Sequence, residues 1–117
     1  MAVRLTLSEV EKRAQRAVST LSEYASVVRA FLFGSYLDGR ADEWSDIDIG
    51  VFIEGLEKWD IKKELRTSSD IRMKEGYDIE LHFFPAQALT DAEPASFAAY
   101  VIKHGRSVKL TSEQVRK

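Results

Sequence analysis

No cysteine occurs among the 117 residues. That removes disulfides, thiolate metal sites and cysteine nucleophiles together, and it fits a reducing cytoplasm. Basic residues are not in excess either: 17 Lys plus Arg face 19 Asp plus Glu, a formal net charge of −2. A protein that coats nucleic acid usually carries a basic surplus, so no extended nucleic-acid surface is expected. Nothing approaches the roughly 18 apolar residues of a membrane span, and the opening MAVRLTLSEVEKRAQ lacks a signal-peptide core. The expectation is a cytoplasmic protein with no membrane segment. Repeats, low-complexity tracts and linkers are also missing, so residues 1–117 are expected to form one domain with a polar tail over about 111–117. Such a chain can bury a real core but is small for a complete two-substrate enzyme.

What is present concentrates in Phe31–Ile53, FLFGSYLDGRADEWSDIDIGVFI. It reads as an apolar strand, a Gly-Ser turn, a polar segment and a second apolar strand. In a strand, residues i and i+2 share a face. Asp46 and Asp48 therefore project together, while Ile47, Ile49, Val51 and Ile53 project oppositely into a core. Two acids on one face of an apolar strand repel each other and lose hydration, and a divalent metal is the first candidate to join them.

Around this stretch the patterns predict a helix over 6–25, with Ser8 and Glu11 as a capping box and Leu7, Val10, Ala14, Ala17, Val18, Leu21 and Ala25 as its apolar stripe. A strand covered on both faces follows at 27–33 and ends at Gly34-Ser35. Residues 36–45 read as a short helix and loop, and 46–53 as the acidic strand. A helix over 56–75, broken or split at Thr67-Ser68-Ser69-Asp70, stops at Gly76. YDIELHFF at 77–84 alternates, with Tyr77, Ile79, Leu81 and Phe83 on one face and Asp78, Glu80, His82 and Phe84 on the other. A turn of helix at 86–91 is expected next. Then comes a helix beginning at Glu93-Pro94 with Phe97, Tyr100, Val101 and His104 buried, and an edge strand within 106–110. The fold class is α+β (α/β), with a small mixed sheet of three to four strands backed by helices.

A lone D-x-D is a weak signal. Here it lies in a strand, near a Gly-Ser turn able to hold phosphate oxygens, with further acid on a second strand through Asp78 and Glu80. That is equipment for two-metal phosphoryl chemistry, in which carboxylates hold Mg²⁺ or Mn²⁺ against a nucleotide's phosphates.

Gly34-Ser35, ten residues, then Asp46-Ile47-Asp48 resembles the signature of the DNA polymerase β-like nucleotidyltransferase superfamily, and of its minimal nucleotidyltransferases in particular. The likeness extends to the closing FAAYVIKHGRSVKL. It implies the polymerase β-like fold and transfer of a nucleoside monophosphate, AMP from ATP first among them, to a hydroxyl with release of pyrophosphate. By the same resemblance Gly34, Ser35, Arg40 and Ser45 bind the nucleotide, and Asp46, Asp48 and Glu80 bind metal. Glu80, with Asp78 as the alternative, activates the acceptor hydroxyl. An acceptor domain is not evident, so the resemblance implies a partner of the small helical HEPN type, paired as toxin and antitoxin, or a homodimer. One departure stands out: Tyr36-Leu37-Asp38-Gly39 replaces the Arg-Ala-Arg-Gly run of many minimal members, and Arg40 is the nearest cation.

Plainer readings run alongside. In them Asp46 is a strand-start cap bonded to Ser45, Asp48 pairs with Arg29 or Arg40, and His82 is a surface or interface histidine rather than a ligand. Trp44 either stacks on a base or packs against a partner. Aspartyl-nucleophile phosphatases are set aside because Ile49-Gly50 follows Asp48 where D-x-D-x-T is needed. The rival function is an antitoxin-like binding module with a catalytically weak or inactive site.

Overall fold

The computed structural model describes residues 5–110. Thr6 opens the first helix, α1 (Leu7–Leu21). Its hydroxyl accepts from the Glu9 N–H at 3.1 Å, and the Glu9 carboxylate accepts from the Thr6 N–H at 2.8 Å. The capping box is thus Thr6/Glu9, two residues ahead of the Ser8/Glu11 pair expected. The helix also ends before Ala25. Val10, Ala14, Ala17, Val18 and Leu21 are buried as the periodicity predicts, while Leu7 stays partly exposed.

Four strands follow: β1 (Ser26–Phe33), β2 (Ile47–Glu54), β3 (Ile79–Pro85) and β4 (Arg106–Ser107). The sheet order is β3-β2-β1-β4, with β2 and β3 parallel and the other pairs antiparallel. Between β1 and β2 runs a single turn of helix, α2 (Ser35–Asp38). A parallel crossover carries β2 to β3 through a 3₁₀ turn (Leu56–Lys58) and α3 (Ile61–Glu75). A second single turn, α4 (Ala88–Asp91), and α5 (Phe97–His104) complete the helices.

The helix expected over 56–75 breaks at Trp59-Asp60 rather than at Thr67-Ser68-Ser69-Asp70. Asp60 caps α3 by accepting from the Lys63 N–H at 2.8 Å. The polar run stays helical because Thr67 and Ile71 are buried on the inner side of α3, and packing outweighs weak propensity.

Ile47, Ile49, Val51 and Ile53 of β2 pack with the stripe of α1, with Ile71 of α3 and with Ile79 of β3. The opposite face carries a second cluster of Phe31, Phe33, Phe52, Ala98 and Val101, joined by Phe84. A bulge at Val27–Arg29 shifts the register of β1. This extra residue lets Val27 and Ala30 face one side and Phe31 and Phe33 the other.

α5 starts later than expected, because Ser96 rather than Glu93-Pro94 caps it, accepting from the Ala99 N–H at 3.1 Å. The phase changes with the start. Ala98 and Val101 turn inward, and Phe97 and Tyr100 are left 49% and 43% exposed. No helix among the described residues is long and apolar enough to cross a membrane. The tail at 111–117 lies outside the described residues.

Candidate functional site

The acidic strand is flanked on both sides by the elements that matter to it. In register, Asp48 stands between Phe33 of β1 and Glu80 of β3. Parallel pairing places Glu80 directly across from Asp48, on the same face of the sheet. Glu80 is half-buried and makes no ion pair or side-chain hydrogen bond with any described residue.

Gly34 closes in from the end of β1. Its backbone sits at φ 90°, ψ −154°, a region essentially restricted to glycine. A Cβ there would lie 2.5 Å from Asp48 Oδ2. The main chain of the Gly-Ser turn is therefore pressed against the carboxylate. Ser35 begins α2 immediately beyond, and the first N–H groups of a helix lack intrahelical partners.

His82, opposite Gly50 in the register, is the residue whose place the sequence did not reveal. Its Nε2 lies 3.1 Å from Asp48 Oδ1, and because a carboxylate only accepts, the ring nitrogen donates. The ring is held by Phe33 at 5.1 Å and Phe97 at 5.4 Å between centroids. Asp48 thus pairs with His82 and not with Arg29 or Arg40. The alternation of 77–84 had set His82 on the Glu80 face. The missing information was the register between β2 and β3.

Asp46 is exposed, one residue ahead of β2. Asp78 is engaged elsewhere. Arg13 of α1 grips it with two hydrogen bonds of 2.6 Å and gives a third, of 2.9 Å, to the Glu75 carbonyl. This fork-to-fork pair holds the Asp78 carboxyl below its ordinary range, first through the Arg13 hydrogen bonds, against partial burial, and then through the Arg13 charge. Asp78 ties β3 to α1, leaving Glu80 as the acid opposite Asp48.

The two remaining nucleotide-binding candidates are also occupied. Arg40 donates to Asp38 at 2.6 Å, and that hydrogen bond, then the Asp38 charge, raises its guanidinium above the ordinary value, with a smaller contribution from Tyr100. Ser45 closes a turn with Asp42: its hydroxyl accepts from the Asp42 N–H at 3.0 Å, while Asp42 Oδ1 accepts from the Trp44 N–H at 2.9 Å. Ser45 shapes the loop leading to Asp46.

Among the described residues no three potential ligands are gathered closely enough to hold a metal ion. In kind, the oxygen donors of Asp48, Glu80 and Asp46 fit a hard cation. Mg²⁺ is commonly held by one or two carboxylates together with substrate phosphates rather than by an all-protein cage.

The model of the family "Polymerase beta, Nucleotidyltransferase" matches residues 15–114. Among curated proteins none matches the chain. A solved toxin–antitoxin structure with AMP-PNP shares the fold with a TM-score of 0.58 at 20% identity, over 85% of this chain and 75% of that one. A candidate nucleotidyltransferase from Sulfolobus solfataricus has a TM-score of 0.56 at 17% identity, over 69% of this chain and 71% of that one. With the family model spanning both acidic strands and the Gly-Ser turn between β1 and α2, the chain belongs to the polymerase beta nucleotidyltransferase family.

Proposed function

We propose that the chain transfers a nucleoside monophosphate, AMP from ATP, to a hydroxyl on a partner molecule, at a site centred on Asp48. The observation that carries this reading is the convergence on one carboxylate: Gly34 against one oxygen, His82 on the other, and Glu80 across the register. The likeness to a toxin–antitoxin structure with AMP-PNP supports it. Main-chain N–H groups at Gly34-Ser35 hold the terminal phosphates, as a helix start does for anions. Asp48, with Asp46 ahead of it and Glu80 beside it, is the place for Mg²⁺ or Mn²⁺. Bound there, the cations supply charge neutralisation to the phosphates and acidity to the attacking hydroxyl.

His82 keeps the Asp48 carboxylate oriented. Glu80 takes the proton of the acceptor hydroxyl as its oxygen bonds to the α-phosphorus, and pyrophosphate leaves with the electrons of the broken P–O bond. The acceptor is presented by a helical partner of HEPN type or by a second copy of the chain. One observation favours the rival, an antitoxin-like binding module: Asp38 occupies Arg40, the first cation after the Gly-Ser turn in the chain.

ATP labelled at the α-phosphate, with Mg²⁺, the protein and the product of the neighbouring gene, separates the two. Label should reach the partner, and Asp48→Asn should abolish transfer while leaving the fold intact. Absence of transfer by the wild-type protein, with partner binding unaffected by Asp48→Asn, would establish the binding module instead. Mg²⁺ with ATP should also raise the melting temperature by mass action, equivalent to about 2.7 kcal/mol at a hundredfold excess over Kd, and Asp48→Asn should erase that rise.

A further inference from the structure

We infer that the outward faces of Phe97 and Tyr100 on α5 form the platform on which the base of the bound nucleotide stacks. This rests on the nucleotide reading above and adds to it the part of the donor that the phosphate and metal groups leave unheld.

The row of rings starts at the site itself. His82, whose Nε2 touches Asp48, packs edge-on against Phe97 at 5.4 Å and 89°. Phe33 at 5.5 Å and 79°, and Phe84 at 5.6 Å and 72°, clamp the same ring from the sheet. Three near-perpendicular neighbours fix the plane of Phe97; Tyr100 stacks beside it at 6.4 Å with 25° between the planes, and His104 lies 4.7 Å from the Tyr100 ring. A surface of two nearly parallel rings, already oriented, loses little side-chain entropy when a flat ligand settles on it.

Exposure sharpens the point. These rings are 49% and 43% exposed beside a family of buried phenylalanines, because Ala98 and Val101 took the inward positions of the helix. α5 itself packs on the sheet face that carries Asp48, with Val101 over Gly50 and Phe97 against His82. A donor with its phosphates at Gly34-Ser35 and its α-phosphate at Asp48 therefore has aromatic surface on the same face of the sheet, one ring beyond His82.

The competing platform is Trp44, 78% exposed. It lines a cleft of about 380 Å³ with Tyr36 and Tyr77, whose inner wall is the Arg13–Asp78 pair. That cleft opens on the α1 side, where Asp78 is engaged and Asp48 is not.

Calorimetric titration with ATP and with inorganic tripolyphosphate, both with Mg²⁺, tests the assignment. Tripolyphosphate carries the anionic end of the ligand without a base. Tyr100→Ala and Phe97→Leu should each weaken ATP by about tenfold, leave tripolyphosphate unchanged, and keep the wild-type circular dichroism. Tyr100→Phe, which keeps the ring, should bind ATP as the wild type does. Unchanged ATP affinity in both ring-removing variants overturns the platform, as does equal weakening of both ligands or a selective loss in Trp44→Ala instead. In those cases wild-type binding of both ligands leaves the nucleotidyltransferase reading standing. Failure of the wild-type protein to bind either ligand takes down that reading, and the platform with it.

Discussion

Replacing Gly34 by alanine is the most direct probe of how the Gly-Ser turn and Asp48 depend on each other. The substitution meets two obstacles. At φ 90° and ψ −154° an L side chain is strained by roughly 1–3 kcal/mol. The new methyl would also lie 2.5 Å from Asp48 Oδ2, so the carboxylate must turn. Turning it breaks the 3.1 Å bond from His82, worth about 1 kcal/mol net. Together the loss is about 3 kcal/mol, or ~12 °C in melting temperature at about 4 °C per kcal/mol for a domain of this size. Gly39 is the control: its φ is +78° but nothing lies within 4 Å of its would-be Cβ. Gly39→Ala should cost only the left-handed penalty, about 1 kcal/mol. Urea denaturation of Gly34→Ala, Asp48→Ala and the double mutant completes the cycle. Removing the carboxylate should return about 1 kcal/mol of the Gly34→Ala cost as coupling. If Gly34→Ala costs no more than Gly39→Ala, or if Asp48→Ala gives no relief, the turn and the carboxylate are not in contact and the site must be rebuilt.

Two further outcomes follow from the packing around the site. The Asp78 pKa is depressed in the fold from 3.8, so the Arg13–Asp78 pair contributes its full stability above that value and loses it as the pH falls through the lower folded value. Arg13, raised above its ordinary value first by its hydrogen bonds to Asp78, stays charged throughout. The stability gap between wild type and Asp78→Asn should thus be constant at about 1 kcal/mol over roughly pH 5–8, and shrink below about pH 4, as followed by urea midpoints. Gly50→Ala would set a methyl 2.8 Å from Val101 Cγ1 and 3.3 Å from the Phe84 ring. Overpacking of this kind costs about 1–3 kcal/mol, and it should push α5 off the sheet and weaken ATP along with the urea midpoint; a neutral Gly50→Ala would contradict the seating of α5.

The elements carrying strong periodicity were legible in the sequence. Alternation in 46–53 and 77–84 gave both acidic strands, and the i, i+3, i+4 spacing of Val10, Ala14, Ala17 and Val18 gave the face of α1. Helix starts were less legible, because Thr6 and Ser8, or Pro94 and Ser96, are each competent beginnings within a residue or two of each other. Which one wins is settled by where the apolar face must meet the sheet. At α5 that choice turned Phe97 and Tyr100 outward, against the expectation. The polar run in α3 misled in the same way, since its inner residues are held by tertiary packing that local propensity does not report.

For the candidate site, the residue types and their chain spacing were local information: a glycine before a serine, two acids one residue apart, and an acid on a later strand. Period-2 geometry and the chemistry of carboxylates suffice to nominate them. The division of labour among them was not local. Asp78 and Glu80 are equivalent in the alternation, and only the approach of α1 assigns Asp78 to Arg13 and leaves Glu80 facing Asp48. The hand of His82 on Asp48 depends on a parallel register between strands joined through α3, and a register is a property of two segments together. Composition and pattern determined which chemistry the chain can carry; the docking of distant segments decided which oxygen meets which partner, because contacts between them are set by the packed whole.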